Sequence, residues 1–251
     1  MIKYQALCRT GLIRKNNEDN LYLNGEYLPL LHGDSQNYQG LVPEGIFGVF
    51  DGMGGEERGE AASYLAAKTL HQYAAGCLAD ESRSAARDID ERSASVFPDL
   101  TEICLHMNQA VVGHSRQEKL RFCGSTAALV SVKGDRADCV NVGDSRIYLY
   151  RDGLIKQISI DHCSEFLGRR TLTQCLGIPE EEFILSPYKV SLSLKKGDKI
   201  LLCSDGITDM VPDEELCRLL AGADALSQIQ GLVFLRGARD NYTGILLEKT
   251  D

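Results

Sequence analysis

Aspartates stand where apolar, strand-like runs stop: Asp51 in Val49-Phe50-Asp51-Gly52, Asp144 in Val142-Gly143-Asp144 and Asp205 in Ser204-Asp205-Gly206. A fourth, Asp240, comes just before the last such run. Strand ends are rigid mounts, so short carboxylates placed there can converge on one point. Carboxylates without thiolate or imidazole partners suit hard, oxygen-seeking cations such as Mg2+ or Mn2+ and disfavour zinc or copper. Without a cation they repel each other. Any one aspartate beside glycine is explained as an ordinary turn residue. Their joint occurrence needs another account.

The elements that must hold these groups follow from periodicity. An apolar run at 46–50 reads as a buried strand ending in a turn, and residues 56–77 repeat apolar positions at three- and four-residue steps, with Glu56 and Glu57 favourably placed at a helix start. The polar stretch 78–95 reads as an exposed connector or frayed helix, and Pro98 marks entry to a second helix reaching about residue 117. Runs at 126–132, 137–142, 146–151 and 154–158 alternate as strands separated by Lys133-Gly134-Asp135, Gly143-Asp144-Ser145 and Asp152-Gly153. They are expected to form an antiparallel meander. Further strands are expected at 189–194, 199–203 and 242–247, and helices at 212–220 and 225–235. This order suggests an α+β fold in which antiparallel sheets are stacked and covered by helices.

Composition narrows the function classes. The chain has 251 residues, 36 acidic and 27 basic, for a formal charge of -9, and its 43% apolar content suffices for a sizeable core. An acidic chain with no long basic stretch is a poor nucleic-acid binder and is not drawn to anionic membranes. No apolar run approaches the ~20 residues that span a bilayer, and a cytoplasmic location is expected. Nine cysteines, scattered and without a C-x-x-C pair, suggest neither a disulfide framework nor a zinc site.

Six segments taken together carry a family resemblance: Arg14 with Glu18-Asp19-Asn20, Val49-Phe50-Asp51-Gly52-Met53-Gly54-Gly55, Gly124-Ser125-Thr126-Ala127, Val142-Gly143-Asp144-Ser145-Arg146, Ser204-Asp205-Gly206-Ile207-Thr208-Asp209 and Arg239-Asp240-Asn241. In this order the chain resembles the metal-dependent protein phosphatases of type 2C, serine/threonine phosphatases, most nearly the bacterial branch. The resemblance implies one catalytic domain over 1–251, built as a four-layer α-β-β-α sandwich of two stacked antiparallel β-sheets flanked by helices. It also implies two core Mn2+ or Mg2+ ions and a third, weaker site. Asp51 matches the residue that bridges the two ions, and Gly52 matches the one that offers its carbonyl. Asp205 and Asp240 match direct ligands, while Glu18 and Asp19 match residues acting through bound water. Asp144 and Asp209 match the acids that complete the third site with Asp205. Arg14 matches the arginine that grips substrate phosphate, Thr126 a structural strand position, and His162 part of a structural Asp-His-Ser element in which Cys163 replaces the serine.

The implied activity is hydrolysis of phosphoserine and phosphothreonine in proteins, the substrates of a cognate serine/threonine kinase, by metal-activated water. Arginine suits its role because its planar fork meets two phosphate oxygens. Met53 stands where many relatives have a histidine that donates a proton, which methionine cannot do. The mobile flap of relatives is reduced here to residues 163–171, so an open site with weak selectivity among phosphopeptides is expected. Two other readings remain: a phosphatase of small phosphate esters, and a non-catalytic pseudophosphatase used as a binding module. The second would lead one to expect losses among Asp51, Asp205 and Asp240, and all three are intact.

Overall fold

The computed structural model describes residues 1–54, 58–84, 99–166 and 169–251. From the N-terminus run β1 (Ile2–Arg9), β2 (Asp19–Leu23), β3 (Glu26–Tyr27), β4 (Tyr38–Val42), β5 (Gly45–Met53), α1 (Gly59–Ser84) and α2 (Leu100–Glu118). Then come β6 (Gly124–Ser125), β7 (Ala127–Lys133), β8 (Arg136–Val142), β9 (Arg146–Arg151), β10 (Leu154–Gln157), β11 (Cys163–Phe166) and β12 (Arg169–Leu172). The chain ends with β13 (Tyr188–Ser193), β14 (Lys199–Cys203), α3 (Asp205–Thr208), α4 (Asp213–Leu220), α5 (Ala225–Leu235) and β15 (Tyr242–Lys249).

Side-chain alternation sorts these elements into layers. Along β7, Ala128, Val130 and Val132 join one core while Ala127 and Leu129 join another. Along β14, Ile200 and Leu202 face that first core while Leu201 and Cys203 face a third. A period of two on a sheet buried on both faces requires this result. The first core lies between a six-stranded sheet, β10-β9-β14-β15-β1-β4, and a seven-stranded one, β13-β8-β7-β5-β2-β3 with β6 attached to β5. The second core packs α1 and α2 on the seven-stranded sheet, through Ala62, Ala66 and Leu70 of one helix and Ile103, Met107 and Val111 of the other. The third packs α3, α4 and α5 on the six-stranded sheet through Ile207, Leu216, Leu220, Ile229 and Val233. All strand pairs are antiparallel, and the layer order is the expected α-β-β-α.

Several local expectations need correction. The four runs after Gly124 do not form one meander. β7 pairs with β8 in one sheet, β9 pairs with β10 in the other, and the chain crosses between sheets at Gly143-Asp144-Ser145. Gly143 makes the crossing possible: its φ is +95°, and a Cβ there would lie 2.6 Å from Thr126 Cγ2. Helix α1 starts at Gly59 rather than near residue 56, after Arg58 in a left-handed conformation (φ 67°), and runs on to Ser84, so the first part of the 78–95 stretch is helix, the second of its two readings. Glu56, Glu57 and residues 85–95 lie outside the described residues. Helix α2 begins one residue after its cap, where the Asp99 side chain accepts from Thr101 N at 2.9 Å, and it stops at Lys119 in a left-handed conformation. Among the described residues, no helix is long and apolar enough to cross a membrane.

Candidate metal centre

Strand pairing brings the first two acids together. In the β2–β5 register Asp19 lies opposite Asp51, and Gly52 N donates to Glu18 O at 3.1 Å. The backbone is pressed so closely here that a Cβ on Gly52 would lie 2.2 Å from Gly59 O and 2.4 Å from Glu18 O. Thr126 fixes the other side of Asp51: its Oγ1 accepts from Asp51 N at 3.0 Å, and its N donates to Asp51 O at 2.9 Å. The same Oγ1 lies 2.6 Å from Ser145 Oγ, which ties Asp51 to the crossing that carries Asp144. Through these bonds Thr126 braces the backbone of Asp51.

The second sheet delivers the remaining acids. Asp205 opens α3 directly after β14, and Asp209 N donates to Asp205 O at 2.8 Å, so one short helical turn carries both. Ser204 Oγ donates to Asp19 Oδ2 at 2.8 Å and accepts from Thr243 N at 2.9 Å, a bridge between the two sheets. Asp240 precedes β15, and its Oδ2 accepts from Arg14 Nη2 at 2.5 Å. Asn241 laces the loop that carries Arg14 and Glu18. Its Oδ1 accepts from Glu18 N at 2.9 Å, and its Nδ2 donates to Thr10 O at 2.8 Å and Asn16 O at 2.9 Å.

Electrostatics binds the set together. Burial, reinforced by Asp19, Asp205, Asp144 and Asp240, holds the Asp51 carboxyl well above the usual carboxylate range. Burial pushes Asp19 up to about 7, with Asp205 and Asp240 adding to it and hydrogen bonds from Thr243 and Ser204 opposing it. Asp205 is pushed up to about 6 by burial and by Asp144, Asp209 and Asp240. Glu18 is raised by burial and then by Glu60. Each acid thus destabilises the charge of its neighbours. The expected convergence is electrostatic rather than a closed cage: among the described residues, no three Asp, Glu, His or Cys side chains stand close enough together to hold an ion as they are.

The donor chemistry fits the implied cations. Asp19, Asp51, Asp144, Asp205, Asp209, Asp240 and Glu18 offer only oxygen, and at Gly52 the close approach of Gly59 O and Glu18 O leaves no room for a side chain beside Asp51. One soft group intrudes, since Cys163 Sγ donates to Asp144 Oδ2 at 3.6 Å. His162 is structural: its Nδ1 accepts from Gly143 N at 3.1 Å and its N donates to Gly143 O at 2.9 Å, supporting the crossing. The segment where a reduced flap is expected is a two-stranded ribbon, β11 with β12, whose strands are four residues each; residues 167–168 lie outside the described residues. The roles of Ser204 and Asn241 escaped the sequence reading. Both sit beside site aspartates, at Ser204-Asp205 and Asp240-Asn241, and that adjacency was the available signal.

Comparison with known proteins places this geometry among relatives. The family model described as Protein phosphatase 2C matches residues 33–230. The chain is 29% identical to the serine/threonine protein phosphatase PstP of Mycobacterium tuberculosis (strain H37Rv), an alignment covering 100% of this chain and 46% of that protein. It is 27% identical to the serine/threonine phosphatase stp of Listeria monocytogenes (serotype 4b), over 95% of this chain and 92% of that one. The chain thus spans about half the length of the first of these relatives. Among solved structures, the catalytic domain of PstP in complex with two manganese ions superposes with a TM-score of 0.74 at 27% identity, covering 100% of this chain and 99% of that one.

Proposed function

Because the chain belongs to the protein phosphatase 2C family, we propose that it is a metal-dependent phosphatase that hydrolyses phosphoserine and phosphothreonine in proteins. We read residues 1–251 as one catalytic domain. The observation that carries the reading is geometric: Asp19 lies opposite Asp51 at the end of one sheet, the stacked sheet brings Asp205 beside them through the Ser204–Asp19 bridge, and Arg14 is bonded to Asp240 at the edge of this acidic set.

Asp51, with Gly52 O, lies at the centre of the set and would be shared by two ions. Asp205 and Asp240 would hold one of them, while Glu18 and Asp19 would act through water. Asp144, Asp209 and Asp205 would form the third, weaker site. Two divalent cations, when bound, supply a hydroxide nucleophile near neutral pH and neutralise charge on the phosphoryl oxygens. Arg14, half-exposed at the rim, is placed to receive the phosphate and orient it for in-line attack. Ser204 and Thr126 hold Asp19 and Asp51 in place through their hydrogen bonds. Met53 has no proton to give, so the leaving oxygen takes its proton from another donor. The natural counterpart of this activity is a serine/threonine kinase acting on the same phosphoproteins.

Hydrolysis of a chromogenic phosphate ester tests the reading. Turnover is expected with Mn2+ or Mg2+, none with chelator, and a loss of at least about a hundredfold in Asp240→Asn. Activity that ignores chelator, or survives Asp240→Asn unchanged, would sink it. A folded protein that is inactive with every metal would favour the binding-module reading.

A further inference from the structure

Asp144 is held by one short segment that bonds the chain on both sides of it. Asp161, His162 and Cys163 are consecutive, and each meets a different residue of 143–146. The Arg146 guanidinium grips the Asp161 carboxylate: Nε lies 3.1 Å from Oδ1 and 3.0 Å from Oδ2, and Nη2 lies 2.8 Å from Oδ2. His162 exchanges two bonds with Gly143, accepting from its N and donating to its O. Cys163 Sγ donates to Asp144 Oδ2 itself. The ion pair is braced in turn. Arg146 Nη1 donates to Tyr148 Oη at 3.0 Å, Tyr148 Oη donates to Asp213 Oδ1 at 2.8 Å, and Gln157 Nε2 donates to Asp161 Oδ1 at 2.6 Å. Asn141, fully buried, ties the same two segments, its Nδ2 donating to Gly143 O at 3.1 Å and to Ile160 O at 3.2 Å. The clamped turn reaches the rest of the acidic set from both sheets. Ser145 Oγ meets the Thr126 hydroxyl that holds Asp51 N, and Arg146 lies opposite Cys203, two residues before Asp205. The Arg146 and Asp161 side chains are only 20% and 18% exposed. A forked, charge-assisted pair so placed fixes direction as well as distance.

We propose that Arg146 and Asp161 are positioning residues of the metal centre: their ion pair locks 161–163 against the turn and so sets the Asp144 carboxylate for a divalent cation. This rests on the reading of Asp144 as a metal ligand. Groups that orient a ligand without touching the ion typically cost about 10- to 100-fold in metal affinity when removed. An ion pair that served only the fold would change stability and leave affinity alone.

Calorimetric titration with Mn2+ alone, beside urea midpoints, tests this in Asp144→Ala, Asp161→Asn, Arg146→Lys and the double variant Asp161→Asn/Asp144→Ala. Asp144→Ala defines the share of Mn2+ binding that this carboxylate carries. Asp161→Asn keeps the shape and loses the charge, and is expected to weaken that same share by about tenfold. Arg146→Lys keeps the charge without the fork and should lose less; it carries the test if Asp161→Asn does not fold. The double variant should bind Mn2+ no more weakly than Asp144→Ala, because the clamp acts through that carboxylate. Wild-type Mn2+ affinity in both Asp161→Asn and Arg146→Lys, whatever their urea midpoints, confines the pair to the fold and overturns the proposal. So does wild-type affinity in Asp144→Ala, or a double variant weaker than Asp144→Ala by the full factor that Asp161→Asn costs alone. Because Mn2+ binding is read without substrate, a wild type that binds Mn2+, shows this pattern in its variants and fails to turn over a chromogenic ester removes the phosphatase reading and leaves the clamp standing. Ester turnover with unaltered Mn2+ binding in the variants removes the clamp alone, and a wild type that binds no Mn2+ removes both.

Discussion

Arg14 Nη2 donates to Asp240 Oδ2 at 2.5 Å, across 226 positions of sequence, so the arginine proposed to grip phosphate is bonded to one of the proposed metal ligands. Both side chains are well exposed, at 49% and 39%. An exposed pair of this kind contributes only about 0–1 kcal/mol, so its value lies in placing the guanidinium at the rim. On the proposed reading, a phosphate entering the site would take over the guanidinium from Asp240 and free that carboxylate to face a cation. Arg14→Ala is therefore expected to raise KM for a phosphate ester by about tenfold or more, with a change in stability below about 1 kcal/mol. Arg14→Lys keeps the charge but lacks the fork, and should recover only part of the loss. Steady-state kinetics beside thermal unfolding checks both. A large drop in melting temperature with unchanged KM would show that the pair serves the fold alone.

Crowded carboxylates make stability depend on pH in a definite direction. In the folded chain Asp19 titrates near 7 and Asp205 near 6, both above the ordinary aspartate value of about 3.9. The folded state therefore holds protons that the unfolded state has released, and the chelated protein should lose stability as pH rises from about 4 to about 7. A divalent cation supplies the missing positive charge once the acids ionise, so Mn2+ should raise the melting temperature more at pH 7.5 than at pH 5. Scanning calorimetry at the two pH values, with chelator and with millimolar Mn2+, measures this. An equal rise at both would contradict crowded site carboxylates as the source of the pH dependence.

Gly52 has no room for a side chain. Its Cβ would meet two backbone oxygens, Gly59 O and Glu18 O, neither of which is the movable end of a side chain. Gly52→Ala should cost about 1–3 kcal/mol by overpacking and should displace Asp51, its neighbour, from its place opposite Asp19. Urea unfolding is expected to show a lower midpoint, and Mn2+ titration a weaker affinity. A variant with wild-type midpoint and affinity would mean that β2 and α1 can move apart there freely.

What the sequence disclosed depended on how local the determinant was. The alternation in β7 and the helical steps from Ala62 to Leu70 assign faces within a few residues, and the structure uses both as read. The aspartates at Asp51, Asp144 and Asp205 were legible because glycine beside an acid marks a strand end. Gly143-Asp144-Ser145 misled, because a turn that continues a hairpin and one that carries the chain into the other sheet share the same residue types; only the pairing of β9 with β14 distinguishes them. The first four strands left little local trace. β1 pairs with β4 on one side and, on the other, with β15 from the far end of the chain. The Arg14–Asp240 bond and the Ser204–Asp19 bridge are likewise relations between distant segments, invisible until the sheets are stacked.

Asn241 shows how such a distant relation reaches the chemistry. Its buried amide satisfies three backbone groups of the 10–18 loop, accepting from Glu18 N and donating to Thr10 O and Asn16 O. That loop carries Arg14 and Glu18, so the amide fixes both at once. Asn241→Ala leaves those groups unpaired in a buried place, at about 1–3 kcal/mol for a typical unsatisfied group. Asn241→Asp keeps an acceptor for Glu18 N but cannot donate to the two carbonyls, and it adds a negative charge beside Asp240. Both variants should raise KM for a phosphate ester, because an untethered loop presents Arg14 less often in its working position. The aspartate variant should also lose stability more steeply as pH rises, since its added carboxylate ionises beside other acids. Ester kinetics with saturating Mn2+, compared with urea midpoints, separates the effects. Reduced midpoints with wild-type KM in both variants would confine Asn241 to the fold and detach it from phosphate binding.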